Sequence, residues 1–360
     1  MTHTTGWVIA AVVLVTGVGA SFWWLNHTTT PKATEALPST LALDPDWVRA
    51  HAADRLPDPN DPPKFAEDTV LAAPVKFDPE RALKYLKQLC DIGPRVSGSE
   101  GMHKQQELIQ KHFKDLGATL TRQEFKARQR SQTTDTPMTN LIVSWHPDKA
   151  RRVIFCAHYD TRPIADQERN PNNWTKPFLS ANDGTAGVAW MMELGHHMKD
   201  LKTEVGIDFV LFDGEEYVFK TSQNGGDDKY FFGSEYFAED YAKTKDTRKH
   251  KYEAAILMDL CHAKGANLRV ELHSYKMAKP LLDSVWGTAN ALKAKSFKYE
   301  PGYEVQDDHL ALNFAGIPAV DLIDFDYPHW HKLSDTPDKI SGEQMAEVAV
   351  VLTTWVQGIK

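Results

Sequence analysis

The sequence predicts an α/β fold: a mostly parallel, mixed central sheet flanked by helices on both faces, in a single domain. Two observations predict it. Short, nearly all-apolar runs such as Ile207-Asp208-Phe209-Val210-Leu211-Phe212 read as strands buried on both sides. These runs alternate with segments of helical period, which implies a sheet covered on both faces. No internal repeat interrupts the alternation.

The elements follow in order. Asp78-Pro79-Glu80 is a helix start, with a cap, a first-turn Pro and an acid, and Leu83, Leu86, Leu89 and Cys90 continue it at helical spacing. A second helix is expected over about Gly101–Leu116, with Leu108, Ile109, Phe113 and Leu116 on one face and Gly117 as its stop. Strands are expected at Thr119–Phe125, Asn140–Trp145 and Val153–Ala157. A helix follows Asp183, then strands at Ile207–Phe212, Ala254–Leu260 and Pro318–Ile323. The last helix is expected at about Gly342–Val356, with Met345, Val348, Val351, Leu352 and Trp355 inward.

Three parts are expected. Residues 7–25 carry no charge, and Trp23-Trp24 suit a membrane interface, so residues 1–25 read as a transmembrane signal-anchor or a cleaved signal peptide. Either reading puts the body outside the cytoplasm, membrane-anchored in the first case and secreted or periplasmic in the second. Residues 26–75 are rich in Pro and Asp and read as a linker or wrapping arm. Residues 76–360 form the folded body. Its 25% charged and 42% apolar composition is ordinary for a globular chain, and the net charge of −8 argues against nucleic-acid binding. A monomer is expected. Cys90, Cys156 and Cys261 each sit in an apolar run and read as buried thiols rather than a disulfide framework.

The ends of the strands carry the chemistry. Val153–Ala157 runs into His158-Tyr159-Asp160, Ile207–Phe212 into Asp213-Gly214-Glu215-Glu216, and the strand at 254 into Asp259. Pro318–Ile323 leads on to His329-Trp330-His331, and Asp183 opens a helix. Ligands in open α/β sheets bind outside these carboxyl ends. His, Asp and Glu gathered at one edge, with positions left open, suit a catalytic zinc. The adjacent Glu215 and Glu216 permit a division of labour, one as ligand and one as general acid/base.

The ordered set CAHYD, AND-G, LFDGEE, MDL and a late His resembles the M28 metallopeptidase superfamily of zinc aminopeptidases. FGSEYFA, Gln306-Asp307-Asp308-His309 and Trp330-His331 narrow the resemblance to the glutaminyl cyclases of animal type, over roughly residues 80–357. The resemblance implies a zinc aminopeptidase-like (phosphorylase/hydrolase-like) fold, and a zinc-dependent catalytic domain over 76–360 that cyclises the N-terminal Gln of peptide or protein substrates to pyroglutamate. It implies one zinc held by Asp183, Glu216 and His331, with Glu215 as general acid/base and Asp259 and Asp307 beside it. Trp330 and Gln306 would line the substrate pocket. The alternative is an M28-type aminopeptidase, which would use a second zinc through His158 and Asp259. A third reading, a peptide-binding protein on an inactive scaffold, would call for loss of Glu215 or a ligand, and none is lost. Two departures stand out. The animal cyclases carry a Trp soon after the Glu pair, where this chain has Tyr217-Val218-Phe219-Lys220-Thr221, leaving Phe219 as the candidate substitute. Their disulfide after the HYD strand has no partner here.

Overall fold

The computed structural model describes residues 56–65 and 71–360. A six-stranded sheet organises them. In chain order the elements are α1 (Pro79–Cys90), α2 (Glu100–Asp115), β1 (Thr119–Ala127), β2 (Thr136–Trp145), β3 (Arg151–His158), α3 (Ala186–Leu194), β4 (Gly206–Phe212), α4 (Phe232–Thr244) and β5 (Lys251–Asp259). There follow β6 (Leu268–Val270), α5 (Leu272–Met277), α6 (Lys279–Ala291), β7 (Phe297–Pro301), α7 (Asp308–Phe314), β8 (Ala319–Ile323) and α8 (Gly342–Gln357). The strand order is β1-β2-β4-β3-β5-β8, and β6 and β7 form a separate parallel pair. The pairings β4–β3, β3–β5 and β5–β8 are parallel, while β1–β2 and β2–β4 are antiparallel. The expected mixed, mostly parallel sheet is therefore present.

Alternation along the strands divides the core. Phe155 of β3 and Phe209 of β4 face α1, α2, α3 and α8, where they meet Leu86, Phe113, Trp190 and Leu352. Ile154, Cys156, Val210 and Phe212 face the other way, against Phe237 and Tyr241 of α4 and Leu312 of α7. The cap read from the sequence at Asp78 is in place, and Ser341 caps α8 in the same way. Asp78 accepts a bond from the Arg81 N–H at 3.0 Å, and Ser341 from that of Gln344 at 3.1 Å. Such a cap stabilises a helix by about 1 kcal/mol.

From β3 the chain crosses to β4 on one side, then passes back over β3 to β5 on the other. The carboxyl end of β3, where His158 stands, is thus a topological switch point, the usual place for a ligand crevice.

The helices α4 to α7 were not expected as elements. All three cysteines are free and buried, as expected. Part of the expected arm is described: the backbone of Lys64 and Phe65 lies against Gly287 of α6, where an added Cβ would come within 3.1 Å of the Lys64 carbonyl oxygen. The transmembrane and signal-anchor reading of residues 1–25 is withdrawn. No helix among the described residues is long and apolar enough to cross a membrane, and residues 1–25 themselves lie outside those described.

Candidate active site

Three ligand-type side chains meet at the carboxyl edge of the sheet, carried by the segments that follow β3, β4 and β8. Asp183, Glu216 and His331 each bring one ligand atom to within 4.8 Å of the others, and all three are buried. His331 Nε2 lies 2.6 Å from Glu216 Oε1 and 3.8 Å from Asp183 Oδ2. Asp183 Oδ2 and Glu216 Oε2 are buried without a hydrogen-bond partner. Orphaned carboxylate oxygens facing an imidazole nitrogen are costly as they stand. Two O donors and one N donor, one short of a tetrahedral set, match the protein ligands of a catalytic zinc site, so the residues fit the metal.

The backbone is shaped to make this meeting. Gly184 has φ +79, and a Cβ there would meet the His158 ring at 2.6 Å, so only glycine lets Asp183 approach His158. His331 itself has φ +51. A non-glycine residue in this region stores on the order of 1–3 kcal/mol, and such strain concentrates at functional sites.

A surrounding layer fixes the ligands, and sequence reasoning missed most of it. Asp166 Oδ1 lies 2.9 Å from His331 Nδ1 and so orients the ring from its far side. Arg162 grips both Asp166 oxygens at 3.0 Å, and its guanidinium is 3.8 Å from Glu216. Asp160 accepts from the N–H groups of Glu215 and Glu216, both at 3.1 Å. Asp335 accepts from the N–H groups of Asn182 and Asp183, and from the Tyr327 hydroxyl at 2.6 Å. Asp160 was visible in the HYD motif. Asp166 and Asp335 lie in loops with no periodicity to mark them.

Glu215 and Asp307 are buried, and Asp259 half-buried, beside the candidate ligands. Burial pushes the Glu215 carboxyl well above its ordinary range, and Glu216, Asp307 and Asp308 add to this while His158 opposes it. Burial, then Asp259 and Asp308, does the same to Asp307, and burial also raises Asp259. Burial and like charge thus favour the protonated forms across this acid network. On His331, burial and Arg162 oppose a proton, but Glu216 and Asp166 outweigh them and raise it to about 9.

His158 forms a second candidate group with Asp183 and Asp259. Its Nε2 is 3.1 Å from Asp183 and 3.5 Å from Asp259. Trp330 is half-buried, with its ring centroid 4.0 Å from that of His331 and 4.9 Å from that of Phe325. Gln306 is exposed beside the buried Asp307, outside the cluster. Phe219 is half-buried and packs edge-on against Tyr217 at 4.9 Å. Burial raises the Cys261 thiol well above its usual range, which rules against a nucleophilic thiolate.

The family model described as Peptidase family M28 matches residues 140–356, which carry every candidate ligand named above. This chain belongs to peptidase family M28. Among solved structures, the M28 chain is similar to the glutaminyl cyclase of Fimbriiglobus ruber, with 55% identity, a TM-score of 0.80, and coverage of 82% of this chain and 99% of that one. It is also similar to a leucine aminopeptidase precursor from Bacteroides thetaiotaomicron, with 27% identity, a TM-score of 0.75, and coverage of 81% and 100%. Among curated proteins, the glutaminyl-peptide cyclotransferase of Bos taurus is 22% identical over 253 residues, covering 61% of this chain and 65% of that protein.

Proposed function

We propose that this M28 chain is a glutaminyl-peptide cyclotransferase, closing the N-terminal Gln of a peptide or protein to pyroglutamate with release of ammonia. The observation that carries this is its 55% identity to the Fimbriiglobus ruber glutaminyl cyclase, over 82% of this chain and nearly all of that one.

In this reading Asp183, Glu216 and His331 hold one zinc, which would supply Lewis-acid polarisation of the Gln side-chain carbonyl. The α-amine must be neutral to attack the amide carbon. Glu215 takes the proton from the attacking amine and returns one to the leaving nitrogen as the C–N bond breaks. The new amide N–C bond and the departing ammonia balance, and water is not consumed. A carboxyl raised by burial and by neighbouring acids holds a proton more readily than an exposed one, which suits a group that must take and return it. Asp307 disfavours the charge on Glu215 and so helps it hold the proton, and Asp259 acts in the same way on Asp307. Trp330 offers a rigid apolar wall that holds the Gln side chain against its own amine, which is largely a positioning task.

The second reading is an aminopeptidase, and one observation favours it: His158, Asp183 and Asp259 also gather within 4.8 Å. There the same Glu215 would activate a water. Stripping the full chain with a chelator and restoring zinc tests the cyclase reading. Pyroglutamate formation from a Gln-initiated peptide is expected to vanish and return at one zinc per chain. Full activity in metal-free protein contradicts it.

A further inference from the structure

The loop that carries Asp307 is gripped by a carboxylate that the cyclisation chemistry does not use. Glu271 caps the short helix α5 and is 1% exposed. Ser, Thr, Asp and Asn are the preferred caps, being short. The extra length of Glu271 is used elsewhere. Its Oε1 accepts from the His273 N–H at 2.9 Å and also from the Val305 N–H at 2.9 Å. Its Oε2 accepts from the Ser274 N–H at 2.6 Å and the Ser274 hydroxyl at 2.8 Å, and lies 3.2 Å from His309 Nε2. Val305 and His309 flank Asp307 in sequence, two residues to either side, so one carboxylate hydrogen-bonds the loop before the acid and stands at ion-pair distance from His309 after it. Ser274 Oγ accepts in turn from the Asp321 N–H at 3.0 Å, which anchors the grip in β8. Ser274, His309 and Asp321 are fully buried.

Asp307 depends on this grip. Its Oδ1 caps α7 by accepting from the Asp308 N–H at 2.6 Å, and its Oδ2 is buried without a partner. No side-chain bond from the acid network fixes that oxygen, so the backbone of 305–309 sets where it stands. Burying an ionised Glu is costly, and capping a helix of six residues does not account for it. Burial pushes the Glu271 carboxyl up, but His309 and the backbone N–H groups outweigh this and bring it to about 2, so it is charged at neutral pH.

We propose that Glu271 is a positioning residue whose grip on Val305 and His309 places the Asp307 carboxylate against Glu215 and Asp259. The proposal rests on the cyclase reading for the role of Asp307. Glu271→Gln replaces one acceptor oxygen with an NH2 group, so contacts to N–H donors turn repulsive.

A double-mutant cycle on the zinc-loaded full chain tests it, using Glu271→Gln, Asp307→Asn and the pair, with steady-state kinetics on a Gln-initiated peptide. Glu271→Gln is expected to lower kcat by about 10- to 100-fold, as a small misplacement of a catalytic group does, with KM within about threefold and zinc content unchanged. In the Asp307→Asn background the same change is expected to cost less than about threefold, because both act through one carboxylate. Equal losses in both backgrounds, or wild-type kcat in Glu271→Gln, overturn the proposal. Should Glu271→Gln fail to fold, Ser274→Ala, which deletes one bond to Oε2, enters the same cycle, with a loss of a few-fold expected only when Asp307 is intact. A wild-type chain that forms no pyroglutamate overturns the function, and the role of Asp307 with it. Cyclisation with additive losses overturns the positioning role alone.

Discussion

Asp166→Asn removes one negative charge and changes little else in shape. Two losses follow from the geometry. His331 Nδ1 faces Asp166 at 2.9 Å, so the substitution weakens the support that orients the ring and raises its basicity as a ligand. Removing such a partner typically costs 10- to 100-fold in metal affinity, or about 1.4 to 2.7 kcal/mol. Arg162, fully buried, loses the two-pronged contact at 3.0 Å and keeps the Tyr230 hydroxyl at 2.9 Å and Glu216 at 3.8 Å. Leaving a buried charge without its partner costs roughly 3–5 kcal/mol, which lowers the Tm by on the order of 10 °C. Competition with a chromophoric zinc chelator reads the first loss, and calorimetry of the metal-free protein reads the second. Arg162→Met is the control, since it removes the fork and leaves His331 paired with Asp166. It is expected to lose stability with a much smaller loss of zinc affinity. Folded Asp166→Asn protein that binds zinc as tightly as wild type would refute the reasoning.

Three further outcomes are expected. Glu215→Gln should bind zinc stoichiometrically yet lose at least about 100-fold in kcat, because it keeps the ligands and removes the proton carrier; near-normal turnover contradicts its role. In metal-free protein the His331 proton, raised to about 9, stabilises the fold fully below the unfolded value near 6.5. That contribution, about 3 kcal/mol, is lost as pH rises through 9, so Tm should fall between pH 7 and 9 in metal-free protein and much less in the zinc-loaded form. Equal slopes in the two forms refute this. Trp330→Ala should raise KM about tenfold or more with a smaller effect on kcat, since it removes a pocket wall and no reacting group; unchanged KM in a kinetic titration argues against a wall.

Much of the site was legible because strands punctuate the sequence. Val153–Ala157 and Ile207–Phe212 are apolar throughout apart from Asp208, so the charged residues that end them stand out. Asp183, Glu216 and His331 come from three distant segments, and the switch point at β3 brings them together. Asp166 and Asp335 were not legible. Each sits in an irregular loop where an aspartate reads as a turn residue, and only the fold shows which backbone or ring it holds. Of the missed helices α4 to α7, the two short ones were hidden for a related reason. Helix α7 has seven residues, too short to show a period, and α5 has six. Glu271 was hidden with them, since beyond its local cap contacts it reaches Val305, 34 residues away. The segment 7–25, read from its uncharged run and Trp23-Trp24 as a membrane span or cleaved signal peptide, lies outside the described residues, among which no helix is long and apolar enough to cross a membrane.

The central claim is the reaction itself. The zinc-loaded full chain is incubated with a Gln-initiated peptide and, separately, with a Leu-initiated one, and the products are read by mass spectrometry. The account predicts loss of ammonia from the first peptide, with its chain length intact, and no change in the second. Release of free Gln or Leu without a pyroglutamyl product would contradict it, and would make the chain an aminopeptidase with His158 as a metal ligand.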